Sequence, residues 1–211
     1  MPADFIRANT RIAPVPFVPE LSLHQADEPI DLWERTERAG GERQPPPFWA
    51  FAWAGGQALA RFVLDHPESV AGRSVLDLAT GSGLVAIAAA RAGAATVTAN
   101  DISALSLAAA GANARANGVA LRLAGTDLLD TTPEHDVVLA GDVCYSREMT
   151  ARVLPFLRRA AAGGALVLLG DPGRAYLPAG LIARARYDDV PVSAALESVP
   201  SRAITVWQVP A

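Results

Sequence analysis

From Gly55 onward, short apolar runs and longer amphipathic stretches alternate along the chain. GGQALARFVLDHP places Leu59, Phe62 and Val63 on one helical face and is stopped by Pro67. SVLDLA is a short apolar run that ends in a glycine turn, and LVAIAAARAG then has helical composition as far as Gly93. The cycle repeats with ATVTAND and SALSLAAAGANARAN up to Gly118, then ALRLAG, then DVVLAGD followed by the helical TARVLPFLRRAA, and finally GGALVLLGD. VVLA and ALVLL are almost unbroken in apolar character, which suits parallel strands covered by helices on both faces. The pattern therefore predicts an α/β, doubly wound, mostly parallel sheet. The tail departs from it. ARARYDDVPVSAAL and SRAITVWQVPA are two strand candidates with no helix-length segment between them, so they are expected to close the sheet as a C-terminal antiparallel hairpin.

Residues 1–45 read differently. Pro14, Pro16 and Pro19, and then Pro45, Pro46 and Pro47, break any long periodic element. PELSLHQ alternates like a short strand, and PIDLWERTERAGG reads as a short helix ended by Gly40 and Gly41. The expected division is an N-terminal extension over 1–45 and the α/β domain over 46–211.

Composition narrows the class. With 211 residues, 51% of them hydrophobic and 19% charged, the chain predicts one packed domain rather than a disordered or fibrous protein. A net charge of −4 gives no electrostatic reason to expect a nucleic-acid partner. Cys144 is the only cysteine, so no internal disulfide forms, and MPADFIRANTRIAP lacks the basic-then-apolar pattern of a signal peptide; a cytoplasmic protein is expected. No window approaches the roughly 20 uninterrupted apolar residues of a membrane span, so no membrane partner is expected. His24, His66 and His135 have no cysteine or carboxylate at ligand spacing, and no metal is expected.

The strongest chemical signal is VLDLATGSGLVA. Gly81 and Gly83 lie in the turn leaving the first strand of the cycle, where glycine permits positive φ and brings backbone N–H groups close to a ligand. Read alone, GSGLVA also fits a dinucleotide fingerprint and does not separate NAD from S-adenosylmethionine. Asp77, four positions earlier, favours the second, because a carboxylate repels pyrophosphate and attracts amino and sulfonium cations. Its plainer alternative is a turn or helix-capping aspartate. Asp101 ends the next strand, where a carboxylate can accept both ribose hydroxyls. Asp127, in GTDLLD, can accept from an adenine amino group, with Leu128 packing on the ring. Asp142 and Tyr145, in GDVCYS, fall at the same carboxyl edge and can together hold an amine, one by charge and the other as a wall beside the cation. Cys144 between them has no paired histidine, so burial is its expected role.

Together, VLDLATGSG, the AND strand end, GTDLLD and GDVCY resemble the class I, seven-stranded S-adenosylmethionine-dependent methyltransferases, and Asp142 to Tyr145 looks like the D-x-x-Y signature of their protein-lysine branch. PPPFWAFAWAGGQALARFVLDHP and the GDPGR block from Gly170 to Arg174 are similar to the electron transfer flavoprotein beta-subunit lysine methyltransferase family, over about residues 19–209. The resemblance implies a class I methyltransferase domain over 46–211, with S-adenosylmethionine as cofactor and S-adenosylhomocysteine as product. It implies Asp77, Gly81 and Gly83 as methionine-end and backbone contacts, Asp101 at the ribose, Asp127 with Leu128 at the adenine, and Ile102 as a further cofactor contact. Trp53 is implied as a pocket wall, Trp49 less directly, and Asp142 and Tyr145 as the lysine-handling pair.

Two departures stand out: Ser146 follows the tyrosine where an acidic residue is common, and the turn reads LATGSG where LGSGCG or similar is frequent. The implied partner is the electron transfer flavoprotein beta subunit, acted on by a monomer. The alternatives are a ribosomal protein or a small amine such as a pyridine as acceptor, a binding module that has lost transfer, and an NAD-dependent oxidoreductase, which Asp77 and the terminal hairpin count against.

Overall fold

The computed structural model describes residues 2–41, 45–193 and 199–211. A helix α1 (Pro2–Asn9) leads into a hairpin of β1 (Arg11–Val15) and β2 (Val18–Gln25), then α2 (Pro29–Gly40). The β2 strand and α2 were legible in the sequence. β1 was not, because Pro14 interrupts it, nor was α1, whose eight residues give little room for periodicity. Pro14 is compatible with β1 because β1 is an edge strand and one missing N–H is tolerated there.

The main sheet is built from β3 (Ser74–Leu78), β4 (Thr96–Asn100), β5 (Arg122–Ala124), β6 (Val137–Gly141), β7 (Leu166–Asp171), β8 (Ile182–Pro191) and β9 (Ser201–Gln208). Its spatial order is β5-β4-β3-β6-β7-β9-β8. The first five of these pair parallel, and β9 runs antiparallel to both β7 and β8. This is the expected doubly wound sheet with its closing hairpin. Of ARARYDDVPVSAAL, residues 194–196 lie outside the described residues.

Helices α3 (Ala54–Asp65) and α4 (Leu84–Arg91) bury one face of the sheet, packing Leu59, Val63 and Ile87 against Val75, Leu139 and Leu168. Helix α6 (Arg147–Ala162) covers the other, with Phe156 and Leu157 against Leu76, Val138 and Leu169. The chain runs outward from β3 to β5 and then returns to place β6 beside β3. That reversal opens a crevice at the carboxyl ends of β3 and β6, the place where doubly wound sheets bind ligands.

The N-terminal hairpin is tied to this body through α5 (Ala104–Ala116). Val18, Leu21 and Leu23 of β2 enter the same apolar cluster as α3 and α4. Asn113 Oδ1 accepts from the His24 amide at 2.7 Å while its Nδ2 donates to Ser82 O at 2.7 Å. Asn117 accepts from the Ser22 amide at 3.0 Å and donates back to the Ser22 carbonyl at 2.6 Å, as a neighbouring strand would. Asn113 thus joins the hairpin to the glycine turn of the sheet.

Candidate active site

A cavity of about 400 Å³ opens at the carboxyl edge of β3, β4 and β6. Trp53, Asp77, Gly81, Asp101, Ile102, Asp127, Asp142 and Tyr145 all line it, as does Trp49. Gly83 and Leu128 are not among its lining residues. Gly83 starts α4 at φ +83°, and a Cβ there would lie 2.9 Å from Ala110, so glycine serves the close approach of α4 to α5. Leu128 packs against the α6 side of the core, and Leu129 lines the cavity instead. A loop turns its side chains by local backbone geometry, which adjacency in sequence does not reveal.

The glycine turn is held by two carboxylates. Asp101 Oδ2 accepts from the Gly81 amide at 3.0 Å, and its Oδ1 accepts from the Ser103 amide at 2.9 Å. Asp77 is 2% exposed. Its Oδ2 accepts from Thr80 Oγ1 at 2.5 Å and from the Ala86 amide in the first turn of α4 at 3.0 Å. The turn-and-cap reading of Asp77 is therefore real, and the same carboxyl also reaches the cavity wall. Burial pushes its pKa up to about 7, against the two hydrogen bonds that favour the ion. Ala79 adopts φ +55° in this turn, a left-handed conformation carried by a residue with a Cβ.

Asp127 accepts from the Leu129 amide at 3.0 Å and pairs with Arg152 at 2.6 Å. Both interactions hold its pKa below the ordinary carboxylate value, the backbone bond first.

Asp142 lines the cavity at φ +58°, just beyond β6. Its Oδ2 accepts from the Gly56 amide in the first turn of α3 at 2.8 Å. Arg174 Nη2 lies 2.8 Å from the buried Oδ1 as an ion pair. Burial raises the Asp142 pKa, and the Arg174 charge opposes that rise. Arg174 also pairs with buried Asp171 at 3.0 Å through Nη1. Asp171 Oδ1 in turn accepts from the Gly173 and Arg174 amides at 2.7 and 2.8 Å, which shapes the turn after β7. Arg174 lines the cavity and was given no role in the sequence reading. The available signal was its place in GDPGR, a turn leaving a strand at the ligand edge.

Around Asp142 stand aromatic walls. Phe48 lies 5.7 Å from Trp53 and 5.8 Å from Tyr145, ring centre to ring centre, and Trp53 Nε1 donates to the Phe48 carbonyl at 2.8 Å. Tyr145 is half-exposed, while Cys144 is buried as expected and its thiol pKa is pushed up to about 11 by desolvation. Among the described residues, no cluster of histidine, cysteine and carboxylate groups fits a metal ion.

These features coincide with clear relatives. A family model described as "Ribosomal protein L11 methyltransferase (PrmA)" matches residues 58–145. The Electron transfer flavoprotein beta subunit lysine methyltransferase of Xenopus laevis is 39% identical over 82% of this chain and 71% of its own. The protein of the same name from Rattus norvegicus is 34% identical over 81% of this chain and 68% of its own. The chain belongs to the electron transfer flavoprotein beta subunit lysine methyltransferase family.

Like its family, this methyltransferase is an S-adenosylmethionine-dependent enzyme. The crystal structure of ribosomal protein L11 methylase from Lactobacillus delbrueckii subsp. bulgaricus aligns at a TM-score of 0.56 with 25% identity, covering 76% of this chain and 80% of that one. Magnesium protoporphyrin IX methyltransferase from Synechocystis PCC 6803, with bound SAM, shares the fold at a TM-score of 0.52 and 21% identity, over 84% of this chain and 91% of that one. The cavity suits this cofactor. Asp77, Asp101, Ile102, Leu105 and Leu129 all line it, joining carboxyl and apolar groups, and two acidic groups at the glycine turn disfavour a pyrophosphate.

Proposed function

We propose that this methyltransferase modifies lysine ε-amines of the electron transfer flavoprotein beta subunit, with Asp142 and Tyr145 holding the acceptor. The observation that carries the reading is that Asp142 and Tyr145 line one cavity side by side with the glycine turn. The substrate comes from the names of the relatives, which are 34–39% identical over most of the chain.

S-adenosylmethionine supplies the methyl group as a sulfonium, and in-line attack by a neutral amine forms the N–C bond as the C–S bond breaks. The chain's residues prepare the amine. A lysine with its ordinary pKa near 10.4 costs roughly 4.6 kcal/mol to deprotonate at pH 7. The Asp142 carboxylate aligns the amine by its charge. Tyr145, with Phe48 and Trp53, forms a channel that excludes water from the ε-carbon. Most of the rate then comes from positioning two bound reactants. On the donor side, Asp77 faces the methionine end, Asp101 and Ile102 the ribose, and Asp127 with Leu129 the adenine. We further take the enzyme to act as a cytoplasmic monomer, with residues 1–45 as an extension of the catalytic domain. Among the described residues, no helix is long and apolar enough to cross a membrane.

The test is incubation of the purified enzyme with methyl-labelled S-adenosylmethionine and host cell extract, followed by mass spectrometry of labelled proteins. Label on lysines of the electron transfer flavoprotein beta subunit is expected. Label on a ribosomal protein or a small amine instead would overturn the substrate and keep the chemistry.

A further inference from the structure

We propose that Arg174 is the positioning residue that lets the bound acceptor amine lose its proton, by offsetting one of two buried carboxylates, Asp142 and Asp171. The inference rests on the lysine-acceptor reading and goes beyond it, because that reading gives Arg174 no task.

The geometry is a buried carboxylate–guanidinium–carboxylate row. Arg174 Nη2 reaches Asp142 Oδ1 at 2.8 Å and Nη1 reaches Asp171 Oδ2 at 3.0 Å. The Asp171 and Asp142 side chains are 2% and 11% exposed, and Arg174 is 23% exposed. The row carries a net charge of −1. Without Arg174 it would carry −2, and an arriving lysine would be held as ammonium, which has no lone pair for attack. Arg174 lowers the attraction of the Asp142 carboxylate for a cation without removing that carboxylate from the cavity wall.

The other groups facing this row are few. The β6 loop contributes the Cys144 thiol and the Tyr145 phenol, both pushed up in pKa by burial and so neutral at pH 7. Helix α3 contributes the Gly56 amide. Among the described residues, Glu148 and Arg152 of α6, Asp127 paired with Arg152, and Asp77 and Asp101 across the cavity make up the charged neighbourhood. Arg174 is thus the cation that touches the acceptor carboxylate.

The proton balance is explicit. The lysine ammonium enters, releases one proton to water, and attacks as the neutral amine; the methylated product leaves as an ammonium with the charge it arrived with. The relevant pKa belongs to the enzyme–substrate complex, so it is read from the acidic limb of single-turnover rate against pH at saturating substrate.

The experiment uses the full chain with the recombinant electron transfer flavoprotein beta subunit. In Arg174→Met the acidic limb is expected to move up by about one to two pH units, by the Coulomb interaction of one charge a few ångströms away in a partly buried site. Transfer at pH 7 then falls at least tenfold and recovers toward the wild-type rate at high pH. Arg174→Lys keeps the charge and is expected to keep most of the limb. Asp171→Asn retains the Oδ1 that accepts from the Gly173 and Arg174 amides, removes one negative charge, and is expected to move the limb to lower pH.

Opposite shifts in the Met and Asn variants support the assignment, since damage to the fold moves both rates down without moving the limbs apart. Limbs that stay in place overturn it, and so does an Arg174→Lys profile that matches Arg174→Met. If Arg174→Met does not fold, Asp171→Asn still decides between the outcomes. A wild-type enzyme that labels no lysine refutes the acceptor reading instead, and the two failures are distinguishable.

Discussion

The Gly56 amide donates to Asp142 Oδ2 at 2.8 Å, so the first turn of α3 carries the Asp142 carboxylate on its positive end. The approach that makes this bond requires glycine on both sides. A Cβ on Gly55 would sit 2.2 Å from the Gly170 carbonyl oxygen and 2.7 Å from Asp142 Oδ2, and one on Gly170 would sit 2.1 Å from the Gly55 carbonyl oxygen. A helix start pressed onto the ends of β6 and β7 thus fixes the Asp142 carboxylate through its Oδ2.

Gly55→Ala is therefore expected to cost stability and transfer together. Overpacking against backbone that cannot yield costs about 3 kcal/mol or more. Urea unfolding checks the stability change, and the methylation rate checks the displacement of Asp142. A variant with wild-type stability would show that α3 can retreat from β7 without loss.

Asp142→Asn keeps the shape, and asparagine tolerates the φ of +58°. Transfer is expected to fall about 100-fold or more, as for removal of an oriented electrostatic contact. Affinity for S-adenosylhomocysteine should stay within about twofold, since Asp142 faces the acceptor. Calorimetry on the variant separates the two effects, and unchanged turnover would remove Asp142 from its role.

The Asp77 carboxyl gives a pH dependence with a definite sign. Its folded pKa of about 7 stands above the ordinary 3.8, so the folded protein holds a proton that the unfolded chain has released. Its contribution to stability is full below about pH 4, is lost as pH rises to about 7, and is level above that. Asp77→Asn should remove this slope and melt higher than the wild type at pH 8, while binding S-adenosylmethionine at least about tenfold more weakly. Melting temperatures of both proteins from pH 5 to pH 8 check it; parallel curves would contradict the desolvation argument.

Ala79 carries a strain that glycine would relieve. At φ +55°, a Cβ costs roughly 1–2 kcal/mol, part of which glycine returns as unfolded-state entropy. Ala79→Gly should therefore stabilise by about 0.5–1 kcal/mol in urea unfolding, without loss of cofactor binding. A destabilised variant would mean that the Ala79 methyl, which packs against the α6-side core, outweighs the backbone term.

The alternation of apolar runs with amphipathic stretches determined the sheet, its closing hairpin and the glycine turn, because strand and helix periods are local properties of the chain. Asp77, Asp101 and Asp142 were legible for the same reason: each ends a strand, and strand ends of a doubly wound sheet converge on one edge. What the sequence left open depends on contacts between distant segments. Hairpin β1–β2 is stabilised by α5, some ninety residues away, through Asn113 and Asn117. Arg174 became part of the site because β7 delivers it beside β6, where a guanidinium between two buried carboxylates is more stable than either carboxylate alone. The exchange of Leu128 for Leu129 in the cavity wall followed from the turn of a loop, whose side-chain directions no period dictates. Periodicity fixes which elements form and where they end; charge pairing and close packing across the chain decide which of their side chains meet.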